Sequence, residues 1–200
     1  MATEHISPQA EAILRFWFGD PADASGEYGQ QRSVWFKKDP AFDATMRQLF
    51  LPEYEQAAAG ALNDWRNQPR ACLALVLLLD QWPRNLFRGD RRSFASDGAA
   101  LKTAYFALAQ GYDQQVLPVE RIFFYLPLEH SEALADQERS VALARSLHSA
   151  HPEFASILDY ALRHQQVIQR FGRFPHRNEI LGRATTAAEA EFLRQPGSRF

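Results

Sequence analysis

Residues 69–83 read PRACLALVLLLDQWP, and this stretch decides the fold. Its apolar run, Ala71 to Leu79, spans nine residues and stops at Asp80. An apolar run that short suits a buried strand or a buried helix. Leucine dominates it and β-branched residues are scarce, which selects the helix. Pro69 fits the first helical position, where no backbone N–H is needed. Almost no polar face is left, so the spacing predicts the central buried helix of the molecule. Pro83 predicts its end, because proline removes a donor and clashes with the preceding turn.

Working outward, helical spacing recurs between caps and prolines. Ser7-Pro8 predicts a helix carrying Ile13, Leu14, Trp17 and Phe18, closed by Gly19. A polar loop over 20–38 contains Gly26, Gly29 and the pair Trp35-Phe36. Asp39-Pro40 predicts the next helix, with Pro52 expected to kink or split it. After Pro83, Ser96 is read as the cap of a helix ending at Gly111, and Pro118 as the start of another ending at Leu126-Pro127. Ser131 is read as the cap of a long helix to about residue 149, and a further one ends at Gly172. Thr186-Ala-Ala-Glu189 matches a capping box, in which two backbone donors are satisfied reciprocally. The expectation is an all-α chain: one domain over residues 1–200, with about eight or nine helices in antiparallel pairs joined by short loops.

Composition narrows the function. The chain has 200 residues, 46 % hydrophobic and 23 % charged, which is globular and excludes wholesale disorder. A net charge of −2 gives no bulk signal for nucleic acid or a membrane surface. No apolar stretch approaches the about twenty residues of a membrane span. The first twelve residues include Glu4, His5, Gln9 and Glu11, so no leader is expected and a cytoplasmic location is the default. The lone Cys72 excludes an internal disulfide and any cysteine-based metal site, and is read as a small buried hydrophobe. Only three of the 22 basic residues are lysine, so local arginine clusters matter. The planar guanidinium fork suits carboxylate and phosphate.

Three segments depart from helix-core composition. LDQWPRNLFRG (79–89) places Asp80, Arg84, Asn85 and Arg88 at the end of the central helix. These could cap the helix, pair with one another, or wall a polar cavity. FFYLPLEHSE (123–132) sets Glu129, His130, Ser131 and Glu132 at a helix junction, where an imidazole serves as acid or base near neutral pH. His164 to Arg183 holds RFGRFPHRNE, with Arg173, His176 and Arg177 on a loop stiffened by Pro175. That is the composition of an anion site or of a solvated charged loop. Carboxylates such as Glu129 with Glu132, or Asp136 with Glu138, are read as acidic helix N-termini. The chain has no glycine-rich phosphate loop, no His-Glu-x-x-His and no Gly-x-Ser-x-Gly elbow, so no cofactor and no metal are expected.

The runs LLLDQWPRNLFRG, FFYLPLEHSEALADQERSVAL and RFGRFPHRNEILGR resemble the bacterial proteins grouped as domain of unknown function 924. The resemblance extends from ILRFWFGD and WFKKDPAFD at the start to ILGR near the end. It implies a fully helical fold similar to tetratricopeptide-type arrays, and it implies no activity. Trp82 stands where that family usually has phenylalanine, a conservative aromatic change. Glu129 stands where methionine or glutamine is common, which moves the functional weight to His130, Ser131 and Glu132.

Three functions stay open at this point. In the first, the motifs converge on a pocket for a small carboxylate or phosphate. Asp80, Arg84, Asn85, Ser131, Glu132, Arg173 and Arg177 bind it, and His130 or His176 transfers protons, which suits a hydrolase or lyase. In the second, a helix-pair groove clamps an acidic peptide. In the third, the polar residues form buried networks that fix helix ends. The expected partner is a small anion or an acidic peptide, with no nucleic acid and no membrane, and the oligomeric state is open.

Overall fold

A computed structural model of the chain describes residues 6–23 and 28–198. Gly26 of the first loop, together with Glu4 and His5, lies outside the described residues. Among the described residues the chain is helical without strands. Its eight α-helices are α1 Pro8–Phe18, α2 Pro40–Ala58, α3 Pro69–Leu86, α4 Asp97–Ala109, α5 Pro118–Glu129, α6 Leu134–Ala150, α7 Ala155–Phe171 and α8 Ala187–Leu193, with short 3₁₀ turns between several of them. No described helix is long and apolar enough to cross a membrane.

The chain divides into two compact units: residues 1–88 with 92–127, and residues 89–91 with 128–200. The first is built on α3. Every residue from Ala71 to Pro83 is buried, as its near-continuous apolar sequence demands. It packs against α1, α2, α4 and the 3₁₀ turn Asn63–Asn67. Aromatic rings fill the space, with Trp17 and Trp82 at 5.2 Å and Trp17 edge-on to Phe123 at 5.6 Å. Cys72 lies inside this core, and burial pushes its thiol up to about 12, so it stays protonated and inert. The second unit is built on α6 packed against α7, with α8 against the 3₁₀ turn Pro175–Arg177. Val167, Ile168 and Phe174 form its buried cluster, with Phe171 and Phe192 alongside.

Three of the N-caps expected from the sequence form with their side chains. Ser7 Oγ accepts from the Ala10 N–H at 3.1 Å, and Asp39 Oδ1 from the N–H groups of Ala41 and Phe42. The Thr186–Glu189 capping box is closed in both directions, at 3.2 and 2.7 Å.

Pro8, Pro40, Pro69 and Pro118 open their helices as expected, whereas the later prolines in α2, α3 and α5 depart from expectation. Pro52 does not split α2, Pro83 does not end α3 and Pro127 does not end α5; each lies inside its helix. At Pro83 the reason is visible. A proline leaves the carbonyl four residues earlier without its helical donor. That carbonyl is Leu79 O, and the Ser96 hydroxyl donates to it at 2.6 Å. The helix therefore continues to Leu86, and Arg84 and Asn85 ride on its last turn. The same bond explains why Ser96, although next to the first residue of α4, does not cap it with its side chain. Ser131 also does not cap α6, which starts at Leu134; its hydroxyl accepts from the Ala133 N–H and donates to Asp136 at 2.6 Å.

Candidate functional site

The first polar motif lies in the unit built on α3. Asp80 is buried, with one carboxylate oxygen 3.3 Å from Arg84 and the other accepting from Gln81 Nε2 at 2.6 Å. Arg84 reaches onward to Asp97 at 3.0 Å. One turn further, Asn85 donates to Asp43 at 2.7 Å, and Arg88 donates to both oxygens of the same carboxylate. Arg84 and Arg88 each therefore meet a carboxylate. The ligand-binding trio read from the sequence, Asp80, Arg84 and Asn85, is engaged in hydrogen bonds within the protein.

The second and third motifs come together in the other unit. α5 ends at Glu129, and the turn 130–133 leads into α6. Gln137 is buried on the first turns of α6 and holds that turn. Its amide nitrogen donates to the carbonyls of Glu129 at 2.6 Å and Ser131 at 2.7 Å. His130, the residue between those two carbonyls, is thereby fixed. α7 contributes His164, whose ring lies 6.4 Å from that of His130 and 5.5 Å from that of Phe174. Gly172 ends α7 in a left-handed conformation at φ 68°, turning the chain into the loop of the third motif. Phe174 is fully buried there, His176 is tilted against it at 5.6 Å, and the Arg177 guanidinium lies over its face at 4.6 Å.

The carboxylates of this region are individually occupied. Glu132 accepts from the Phe174 N–H at 2.7 Å and takes both ends of the Arg183 guanidinium at 2.8 and 3.0 Å. Burial alone would raise its pKa, but these donors together hold it below the usual carboxylate range. Glu189 takes Arg173 in a bidentate pair at 2.7 and 2.9 Å, which, with the backbone N–H and hydroxyl of Thr186, lowers its pKa to about 2. Glu129 is not part of a helix N-terminus, as the sequence suggested. It closes α5, and its carboxylate lies 3.1 Å from His164 Nδ1.

His164 is the electrostatic centre of the cluster. Its Nδ1 lies 2.9 Å from the Tyr160 carbonyl, an acceptor only, so Nδ1 carries the proton. Burial lowers its pKa to about 3, and the nearby His130, His176 and Arg177 add to that by repulsion, against the opposing pull of the Tyr160 carbonyl. Burial thus favours the neutral ring, and the Glu129 carboxylate beside the same nitrogen opposes it.

Of the residues singled out from the sequence, His130, His176 and Arg177 therefore gather around His164 and Phe174. Arg173 is turned to Glu189 and the Ala184 carbonyl, Glu132 to Arg183, and Ser131 to Asp136. Gln137 and Phe174 are the residues sequence reasoning missed. Gln137 sits in a polar helical stretch with nothing to distinguish it from its solvated neighbours. Among the described residues no group of three or more His, Cys, Asp or Glu side chains is placed to hold a metal ion.

Residues 13–197 match the model of a family described as bacterial protein of unknown function, DUF924. The chain is also similar to a solved structure, that of the protein of unknown function ATU0120 from Agrobacterium tumefaciens. Identity is 39 %, the TM-score is 0.80, and the match covers 92 % of this chain and 96 % of that one. No curated protein matches.

Proposed function

The chain belongs to the bacterial DUF924 family, whose function is unknown, and from its own geometry we propose that the unit of residues 128–200 binds a small anion, a carboxylate or a phosphate, beside His130, His176 and Arg177. One observation carries this reading. The His130 ring lies 6.4 Å from that of His164, and His176 and the Arg177 guanidinium lie 5.6 and 4.6 Å from the Phe174 ring, so three basic side chains border one small region, with the Glu129 carboxylate at its edge beside His164. Arg173 and Arg183 are bound to carboxylates and add little to it. Arg177 supplies the planar fork that recognises such anions. The half-buried His130 and His176 are the proton donors, since an anion held beside an imidazole raises its pKa. An anion held against two titrating imidazoles suits acid–base chemistry of the hydrolase or lyase kind.

The test is a titration of the histidine ring signals by NMR with phosphate and with succinate, chloride serving as the salt control. The His130 and His176 rings are expected to shift saturably and to gain basicity, and His176→Ala with Arg177→Lys is expected to weaken binding at least tenfold. Rings that respond to chloride as strongly as to the test anions would remove the reading. A response only to an acidic peptide, without turnover, would replace it with the tetratricopeptide-like binding module.

A further inference from the structure

Glu129 ends α5 and is 5 % exposed. Its carboxylate lies 3.1 Å from Nδ1 of His164, whose ring is 6.4 Å from that of His130. The same nitrogen lies 2.9 Å from the Tyr160 carbonyl, so two acceptors converge on one N–H. A buried charge is screened far less than one in water. The Glu129 carboxylate is therefore felt beyond the atoms it touches, and it opposes an anion in this region without having to face it.

The surrounding charges leave that opposition standing. Glu132, on the turn after α5, is paired with Arg183, and Arg173 is paired with Glu189 of α8. Asp136, on the first turn of α6, accepts from the Ser131 hydroxyl and adds negative charge. Arg177, over the Phe174 ring, is the guanidinium left to offset Glu129. The imidazoles of His130, His164 and His176 contribute nothing until one of them is protonated. An arriving anion thus brings negative charge to a place where Arg177 already answers a carboxylate. A proton taken up by an imidazole cancels the excess.

We propose, given the anion site at His130, His176 and Arg177 on which this rests, that it binds its anion together with a proton and that Glu129 enforces the coupling. The proton goes to His130 or His176, the half-buried rings of the set. The linkage is reciprocal: the proton raises affinity for the anion by the factor with which the anion raises affinity for the proton. Above the imidazole range, affinity falls as pH rises, by at most about tenfold per pH unit for one coupled proton. The site loads as pH falls and empties as it rises. With glutamine at position 129, Arg177 offsets the anion by itself. Proton uptake then shrinks and affinity at the higher pH increases, a gain that damage to the fold does not produce.

The experiment is calorimetric titration of the full chain at pH 7.0 and 8.0, in buffers of different ionisation enthalpy. Succinate and sulfate are the probes, since both are fully ionised in this range. Uptake of about half a proton or more per anion is expected at pH 7.0, with affinity at least about threefold lower at pH 8.0. In Glu129→Gln the uptake is expected to fall by about half or more, and affinity at pH 8.0 to rise at least about threefold. Binding to the native chain without proton uptake, or a Glu129→Gln that binds no more tightly at pH 8.0, overturns the coupling and leaves the anion reading in place. No binding of either probe at either pH removes the anion reading, and the coupling with it. If Glu129→Gln does not fold, the comparison of buffers on the native chain decides.

Discussion

The polar cluster at the end of α3 and the one around Phe174 use the same kinds of side chain and balance them differently. In the first, Arg84 sits between Asp80 and Asp97, and Arg88 is matched to Asp43. In the second, Glu132 and Glu189 are committed to Arg183 and Arg173, while His130, His176 and Arg177 gather near His164, which also meets the Glu129 carboxylate. A closed set of pairs specifies a fold, whereas the second cluster, where imidazoles gather beside a guanidinium, is where we place the proposed anion. The difference cannot be read from residue types, because both stretches are rich in arginine and acid.

The closed cluster makes the largest prediction. Asp80→Ala removes a buried carboxylate from beneath Arg84 and is expected to cost about 3 kcal/mol in urea unfolding. A cost under about 1 kcal/mol would mean that Asp97 alone satisfies Arg84, and the contrast between the clusters would weaken.

His164 tests the unbalanced side. Its folded pKa, about 3, lies below that of a free histidine, about 6.5, so between those values the unfolded chain binds a proton that the folded chain refuses. Stability must then fall as pH falls through this window, by at most about 1.4 kcal/mol per pH unit. His164→Asn is expected to flatten the profile between about pH 6.5 and 4.5, above the range where carboxylates titrate. Parallel profiles for the two proteins would show that the folded ring keeps its proton against Glu129, and the reading of a neutral His164 would fall.

The smallest effect sharpens the comparison inside the second unit. Thr186→Ala opens the capping box that also positions Glu189 for Arg173. A loss of about 1 kcal/mol is expected, with the His130 and His176 ring signals unmoved. Displacement of those signals would tie Arg173 to the histidine cluster and blur the division between structural and functional arginines.

How far the sequence was legible depended on the range of the interaction. The central helix followed from residues 69–79, because burial on all sides needs no knowledge of the partners. The caps at Ser7, Asp39 and Thr186 followed because their bonds span two or three residues. The helix-opening prolines were legible for the same reason, but continuation of α3 past Pro83 was not, because the group that serves the freed carbonyl is Ser96, seventeen residues away. His130, His176 and Arg177 were visible as unusual residues, but their gathering around His164 depends on the packing of α6 with α7. Gln137 carried no local signal, since its three carbonyl partners lie six to nine residues away in a turn whose shape it helps to make.

The bond from Ser96 to Leu79 also makes two helices cooperative. Closing the gap above Pro83 requires the segment before α4 to be in place, so the last turn of α3 cannot be fully protected while that segment is open. Local unfolding there would release both together as one unit. Amide exchange should accordingly assign residues 84–87 and the first turn of α4 a common opening free energy, although a glycine-containing turn separates them in the chain.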